Sequence, residues 1–252
     1  MFAIERSGTG PGPVVLFIHG FCQSSAYWAP TVERLAKFGV GAYAPDLPGF
    51  GASARDPGPY TMAAFADGLA TELDRRRMSK VVLVGGSMGG VVAQHFVLRH
   101  PQCVERLLLV ATGGVTANEA VAVEKANALA VAEWNEQTVT PIVDGFFHRR
   151  PSDDDIARYR KIALSASHAA AVEAAKSNAV NRTLDDLCPV RVPTLIIQGR
   201  HDRARPPRQG SDICERIGGS RLEVLEGSGH TPHLEQAEEF HEIAMPFLLG
   251  KQ

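Results

Sequence analysis

Lys80-Val81-Val82-Leu83-Val84-Gly85-Gly86-Ser87-Met88-Gly89-Gly90, continuing through Val91-Val92-Ala93-Gln94-His95-Phe96-Val97-Leu98-Arg99-His100 to Pro101, decides how the chain is read. The segment opens with a short, strongly apolar run of the kind found in strands buried on both faces. It passes through a Gly-x-Ser-x-Gly pentapeptide and continues as a helix that Pro101 stops. With 24 Gly and 13 Ser in the chain, such a pentapeptide would arise by chance in about one chain in nine of this composition, so the flanks carry the inference. A strand-to-helix turn this tight forces the serine into a strained backbone conformation, and glycines on either side remove Cβ atoms that would collide there. Ser87 is then pushed out at the helix N-terminus. The competing reading is a Gly-rich turn with a helix-capping serine.

Outward from this unit the same rhythm repeats. Apolar strand candidates at residues 14–19, 40–44, 81–84, 107–110, 194–198 and 221–225 alternate with helical candidates at 25–38, 61–77, 88–99, 206–217 and 235–249. Alternation of this kind predicts an α/β fold, a mostly parallel sheet with helices on both faces joined by right-handed crossovers. Residues 113–187 break the rhythm with Ala-rich helical sequence at 117–134 and 152–165 and no strand. Ser152 followed by Asp153-Asp154-Asp155 reads as a helix start with carboxylates at the positive end of the dipole. The expected division is a core of residues 1–112 and 190–252 and an inserted all-helical cap of residues 113–189. The bland reading of the insert is extra helices packed on the sheet. The preferred one is a lid, because Trp134, Phe146, Phe147 and Tyr159 supply apolar surface suited to covering a substrate.

Composition sets the outer limits. The 252 residues are 44% hydrophobic, 21% charged and 7% aromatic, as in ordinary globular proteins able to bury a substantial core. A net charge of -2 and a pI near 6.5 create no global field toward nucleic acid or anionic lipid. Cys22, Cys103, Cys188 and Cys214 are widely spaced and form no C-x-x-C pair, so neither a zinc site nor a disulfide framework is signalled. No apolar run is long enough to span a bilayer, and the first residues carry Glu5 without an apolar signal core. A cytoplasmic protein without export signal or membrane span is expected.

A serine hydroxyl needs a base within hydrogen-bond reach and a carboxylate to orient that base. Of nine histidines, His230 stands out in the Gly-rich loop Glu226-Gly227-Ser228-Gly229-His230, between the last strand candidate and the last helix. Loops at the carboxyl edge of a parallel sheet are where such sites assemble. His233 is its rival, and beside Pro232 it is expected to face outward or pack. His19 is expected to be structural, and His95, His100, His148, His168 and His241 surface or core. Asp202, in Gly199-Arg200-His201-Asp202 beyond a strand, is the chosen carboxylate, with helix capping near Pro206 as its alternative. Asp46, in a Pro/Gly-rich stretch, is expected to stabilise a turn.

The order Ser87, Asp202, His230 is that of α/β-hydrolases rather than of other serine hydrolase folds. Together with His19-Gly20-Phe21, Asp46-Leu47-Pro48-Gly49-Phe50-Gly51-Ala52-Ser53, Gly85 to Gly90, Gly199 to Asp202 and Gly229-His230, it makes the chain resemble the α/β-hydrolase superfamily over nearly its whole length. The resemblance implies that the backbone N–H groups of Phe21 and Met88 form an oxyanion hole and that Cys22 stands in a pocket wall. It also implies a hydrolase of a small carboxylic ester, lactone or thioester acting through an acyl-enzyme. A monomer or small homo-oligomer is expected, with a small-molecule substrate as partner, no nucleic acid or membrane, no cofactor and no metal. Two departures from the family pattern stand out. Little sequence precedes Val14, so the first antiparallel strand is expected to be short or missing, and Met88 and Thr231 stand where some relatives carry tryptophan. Ser87 in place of an aspartate disfavours halide- and epoxide-directed chemistry. A C–C bond hydrolase is a remaining alternative, although Phe21-Cys22-Gln23-Ser24-Ser25 replaces the glycine-rich loop of that group; a small-ligand receptor retaining the three residues is another. The cluster Arg200, His201, Arg203, Arg205 and Arg208 has two readings, attraction of an anionic substrate and, the preferred one, a solvent-facing position beside the acid loop.

Overall fold

The computed structural model describes residues 4–7 and 14–251. Seven strands, β1 (Ile4–Ser7), β2 (Val14–Ile18), β3 (Ala42–Pro45), β4 (Val81–Gly86), β5 (Val104–Val110), β6 (Thr194–Gly199) and β7 (Arg221–Leu225), form one sheet in the order β1-β3-β2-β4-β5-β6-β7. Only β1 runs antiparallel, beside β3, so the first strand is present but four residues long. Side-chain alternation divides the core. Leu16, Ile18, Val81 and Leu83 face one layer, and Val15, Phe17, Val82 and Val84 face the other. Each such side chain stabilises the fold by about 1.5–3 kcal/mol relative to exposure. The β7 positions are mostly half-buried rather than enclosed on both faces, because this strand closes an edge of the sheet.

The helices of the frame are α1 (Ala29–Ala36), α2 (Met62–Arg75) and α3 (Met88–Arg99). After β5 come α4 (Glu119–Val131), α5 (Glu136–Asp144), α6 (Asp153–Ser165) and α7 (His168–Ala179), and then α8 (Pro207–Arg216), the single turn α9 (Pro232–Glu235) and α10 (Ala237–Leu248). Helices α2, α3 and α8 bury apolar residues against one face of the sheet, and α1 and α10 against the other. The continuous helix expected at 235–249 is broken at Gln236, whose side chain turns back to accept from Gly227 N at 2.7 Å. Ser152 caps α6 by accepting from Asp155 N, with Asp153, Asp154 and Asp155 in the first turn.

Between β5 and β6 the chain is helical, and its helices pack in pairs, α4 with α7 and α5 with α6. A separate apolar cluster of Val139, Val143, Ile156, Tyr159 and Ala163 joins these helices to Cys22 and Tyr27 in the loop after β2. Ser167 N donates to Gly49 O at 2.8 Å, tying the start of α7 to the turn after β3. A second tie is polar: Thr183 Oγ1 donates to Gln94 Oε1 at 2.6 Å and Asn181 Nδ2 donates to Gly114 O at 3.1 Å. Buried polar groups satisfied in this way fix the docking of an element more sharply than apolar contact alone.

Candidate active site

Ser87 occupies the turn between β4 and α3 with φ 53 and ψ -118. This is a left-handed conformation that costs a residue with a Cβ on the order of 1–3 kcal/mol. The flanking positions must be glycine for the turn to close this tightly. A Cβ on Gly85 would collide with the Gly89 carbonyl, and one on Gly89 with the carbonyl oxygens of Ile18 and His19. Two hydrogen bonds hold the strained residue, Ser87 N donating to Val110 O at 2.9 Å and Thr112 Oγ1 donating to Ser87 O at 2.7 Å.

Three side chains from separate parts of the chain meet here. Ser87 Oγ lies 2.7 Å from His230 Nε2, and His230 Nδ1 lies 2.7 Å from Asp202 Oδ2. Both His230 and Asp202 are buried. An ionised carboxylate only accepts, so Nδ1 carries the proton and Nε2 is left to accept from the serine hydroxyl. The second Asp202 oxygen accepts from Ala204 N and Arg205 N, each at 2.8 Å. The residue therefore also makes the loop-capping contacts considered as its alternative.

The loop carrying His230 is held from below by Glu235 at the end of α9. Its Oε1 accepts from Gly229 N, Thr231 N and Thr231 Oγ1, and its Oε2 accepts from His148 N and Arg149 N. From the insert, Phe146 O accepts from His230 N at 3.0 Å and the Phe146 ring lies 5.9 Å from the imidazole. Sequence reasoning missed Glu235; its signal was a carboxylate just past the Gly-rich turn, facing backbone N–H groups left free by that turn.

The rival groups are otherwise engaged. His233 is buried and stacks on Trp28 with centroids 4.2 Å apart. Burial, with repulsion from His230 and His241, holds it near pKa 3 and therefore neutral. His19 Nε2 accepts from Leu47 N at 3.0 Å, and burial lowers its pKa despite the nearby Asp46. Asp46 accepts from Ser25 N and Ala52 N, tying two turns together. Burial raises the Cys22 thiol far above its ordinary range, so a thiolate is disfavoured there.

A cavity of about 400 Å³ opens on Ser87 and His230 and is lined further by Phe21, Phe146, Ala175, Asn178 and Arg205. Of the aromatic residues expected to shape a pocket, only Phe146 is in this wall. Phe147 instead lines a smaller neighbouring hollow that also reaches His230. Trp134 stacks on His168 at 5.5 Å, Tyr159 packs tilted against Tyr27 at 4.7 Å, and Cys22 lies in the same packed seam. Mutual burial among these rings leaves them behind the cavity rather than on it. Arg205 corrects a second expectation: it is 8% exposed and in the cavity wall, whereas Arg200 pairs with Glu226 at the surface. Phe21 N and Met88 N have no protein acceptor among the described residues. No cluster of three metal-ligating side chains is found among the described residues, and no described helix is long and apolar enough to cross a membrane.

Comparison with known proteins gives a family and several relatives. A model of the alpha/beta hydrolase family matches residues 15–243. A pimeloyl-[acyl-carrier protein] methyl ester esterase of Neisseria meningitidis is 30% identical, covering 94% of the chain and 93% of that protein. A 2-hydroxy-6-oxo-2,4-heptadienoate hydrolase of Pseudomonas putida is 28% identical over 96% of the chain and 91% of its own length. Among solved structures, a thermophilic esterase from Thermogutta terrifontis superposes with a TM-score of 0.87 at 28% identity, covering 98% of the chain and 92% of the esterase.

Proposed function

The chain belongs to the alpha/beta hydrolase family, and from that premise we propose that it hydrolyses a small carboxylic ester, lactone or thioester through an acyl-enzyme on Ser87. The observation that carries this reading is the pair of 2.7 Å contacts linking Ser87, His230 and Asp202. Ser87 Oγ attacks the carbonyl carbon while its proton passes to His230 Nε2. Asp202 holds the proton on Nδ1 and stabilises the imidazolium that forms. The carbonyl oxygen, now an anion, receives hydrogen bonds from the amides of Phe21 and Met88. Collapse of the tetrahedral species breaks the bond to the leaving oxygen or sulfur, which takes the proton from His230. Water, deprotonated by the same nitrogen, then attacks the acyl carbon and releases Ser87 and the acid. Residues 113–189 act as a cap that encloses the acyl chain. The site lies in a cytoplasmic protein with no cofactor.

Support for ester chemistry comes also from the esterase relatives. The Pseudomonas putida relative favours a second reading, hydrolysis of a carbon–carbon bond, in which the same serine and histidine serve a ketone substrate. The test is turnover of a chain-length series of activated esters by the wild type and by Ser87→Ala. The expected result is multiple turnover and a fall in kcat on the order of 10⁴- to 10⁶-fold in the variant. Near wild-type turnover by Ser87→Ala refutes the proposal. Failure on every ester with activity on acidic diketones transfers it to the second reading, and a single slow turnover with retained product indicates a receptor.

A further inference from the structure

Arg205 is the least expected group in the cavity. Its side chain is enclosed, yet no carboxylate oxygen lies within the 4.0 Å of an ion pair among the described residues. The guanidinium makes three long contacts to neutral acceptors: Nη2 to Asn178 Oδ1 at 3.2 Å, Nη1 to Gln209 Oε1 at 3.3 Å and Nη1 to Val115 O at 3.5 Å. A guanidinium carries five N–H donors in a rigid fork and stays charged in proteins. Burying one without an anion is unfavourable, and here the compensation from Asp202 is Coulombic only, since that carboxylate is directed to His230 and two backbone amides. The rest of the cavity adds to the imbalance. Lys125 stands at its wall and no Asp or Glu lines it.

We infer that the pocket takes an ester bearing a free carboxylate, a monoester of a dicarboxylic acid, with Arg205 as the group that receives the carboxylate and Lys125 assisting at the mouth. The inference rests on the ester-hydrolase reading of Ser87 and narrows it to one substrate class. A carboxylate matches the guanidinium fork with two parallel hydrogen bonds. Asn178 and Gln209 hold the fork in place from α7 and α8. The competing role for Arg205 is a clamp that merely ties α7 to the core, and the two roles predict different kinetics.

The test compares 4-nitrophenyl hemiesters of succinate, glutarate and adipate with neutral 4-nitrophenyl esters of the same chain length, on the wild type, Arg205→Met and Arg205→Lys. For the wild type, kcat/KM is expected to favour at least one hemiester over its neutral partner. In Arg205→Met that preference is expected to fall by about 10- to 100-fold, the range lost with a charge-assisted hydrogen bond, and Arg205→Lys should retain part of it. No hemiester preference in the wild type overturns the inference without any variant. An equal loss on charged and neutral esters in Arg205→Met overturns it in favour of the clamp. If the wild type hydrolyses no ester, the ester-hydrolase reading falls. Calorimetric titration with monomethyl glutarate then decides the subsite alone: binding to the wild type that Arg205→Met loses supports it, and no binding to the wild type overturns it.

Discussion

Replacing His233 with phenylalanine should make the protein more resistant to acid. The imidazole is 3% exposed, lies flat on Trp28 at 4.2 Å and edge-on to Phe240 at 5.9 Å, and neither ring nitrogen has a well-aligned hydrogen-bond partner among the described residues. Desolvation first, then repulsion from His230 and His241, brings its pKa from 6.5 to about 3, against a minor opposing interaction with the Tyr27 backbone. Between those two values the unfolded chain binds a proton that the folded chain refuses. Stability therefore rises with pH through this window; it is fully present above 6.5 and lost as the solution is acidified. At about pH 5 the difference amounts to about 2 kcal/mol, from roughly 1.4 kcal/mol per unit. Phenylalanine keeps the stacked ring and removes the titration. Urea unfolding at about pH 7.5 and about pH 5 should show the wild type losing about 2 kcal/mol more than His233→Phe, or about 4–8 °C in Tm for a domain of this size. The variant should still lose some stability in acid, because His19 is buried with a lowered pKa as well. Equal acid losses in the two proteins would refute the reasoning.

Glu235→Ala removes the acceptor for five donors beneath the His230 loop; kcat should drop by about 10- to 100-fold with KM little changed, since sub-ångström misplacement of the imidazole is enough. Glu235→Gln, which keeps one acceptor oxygen, should recover much of the loss in the same steady-state assay. Gly89→Ala would push a methyl into two backbone carbonyls of β2 and its following loop and should destabilise the fold by more than about 3 kcal/mol. Gly218→Ala, which has open space around it, should stay within about 0.5 kcal/mol in denaturant titrations.

What could be read from sequence was whatever short-range pattern controls. The strand, glycine turn and helix around Ser87 are contiguous, and the apolar runs that flank and follow them specify a parallel frame, so the α/β fold was legible, whereas the order of strands in the sheet was not read from the sequence. The sequential order of serine, aspartate and histidine followed from loops that the frame sends to one edge. The cationic cluster holding Arg205 was legible, but the burial of Arg205 was not, because partners that enclose it, Val115 and Asn178, are distant in sequence and contributed by the insert. Trp134 and Tyr159 misled for the same reason. An aromatic residue in a helical insert can face a cavity or a neighbouring ring, and His168 and Tyr27 provide the rings. Edge position, which leaves β7 partly open, is a property of the sheet and not of the five residues themselves.

Labelling with a serine-directed fluorophosphonate, followed by peptide mass mapping, bears most directly on the role given to Ser87. Stoichiometric modification at Ser87 in the wild type, and a labelling rate reduced by orders of magnitude in His230→Ala, is the predicted result. Modification at another serine, or equal rates with and without the imidazole, would contradict it.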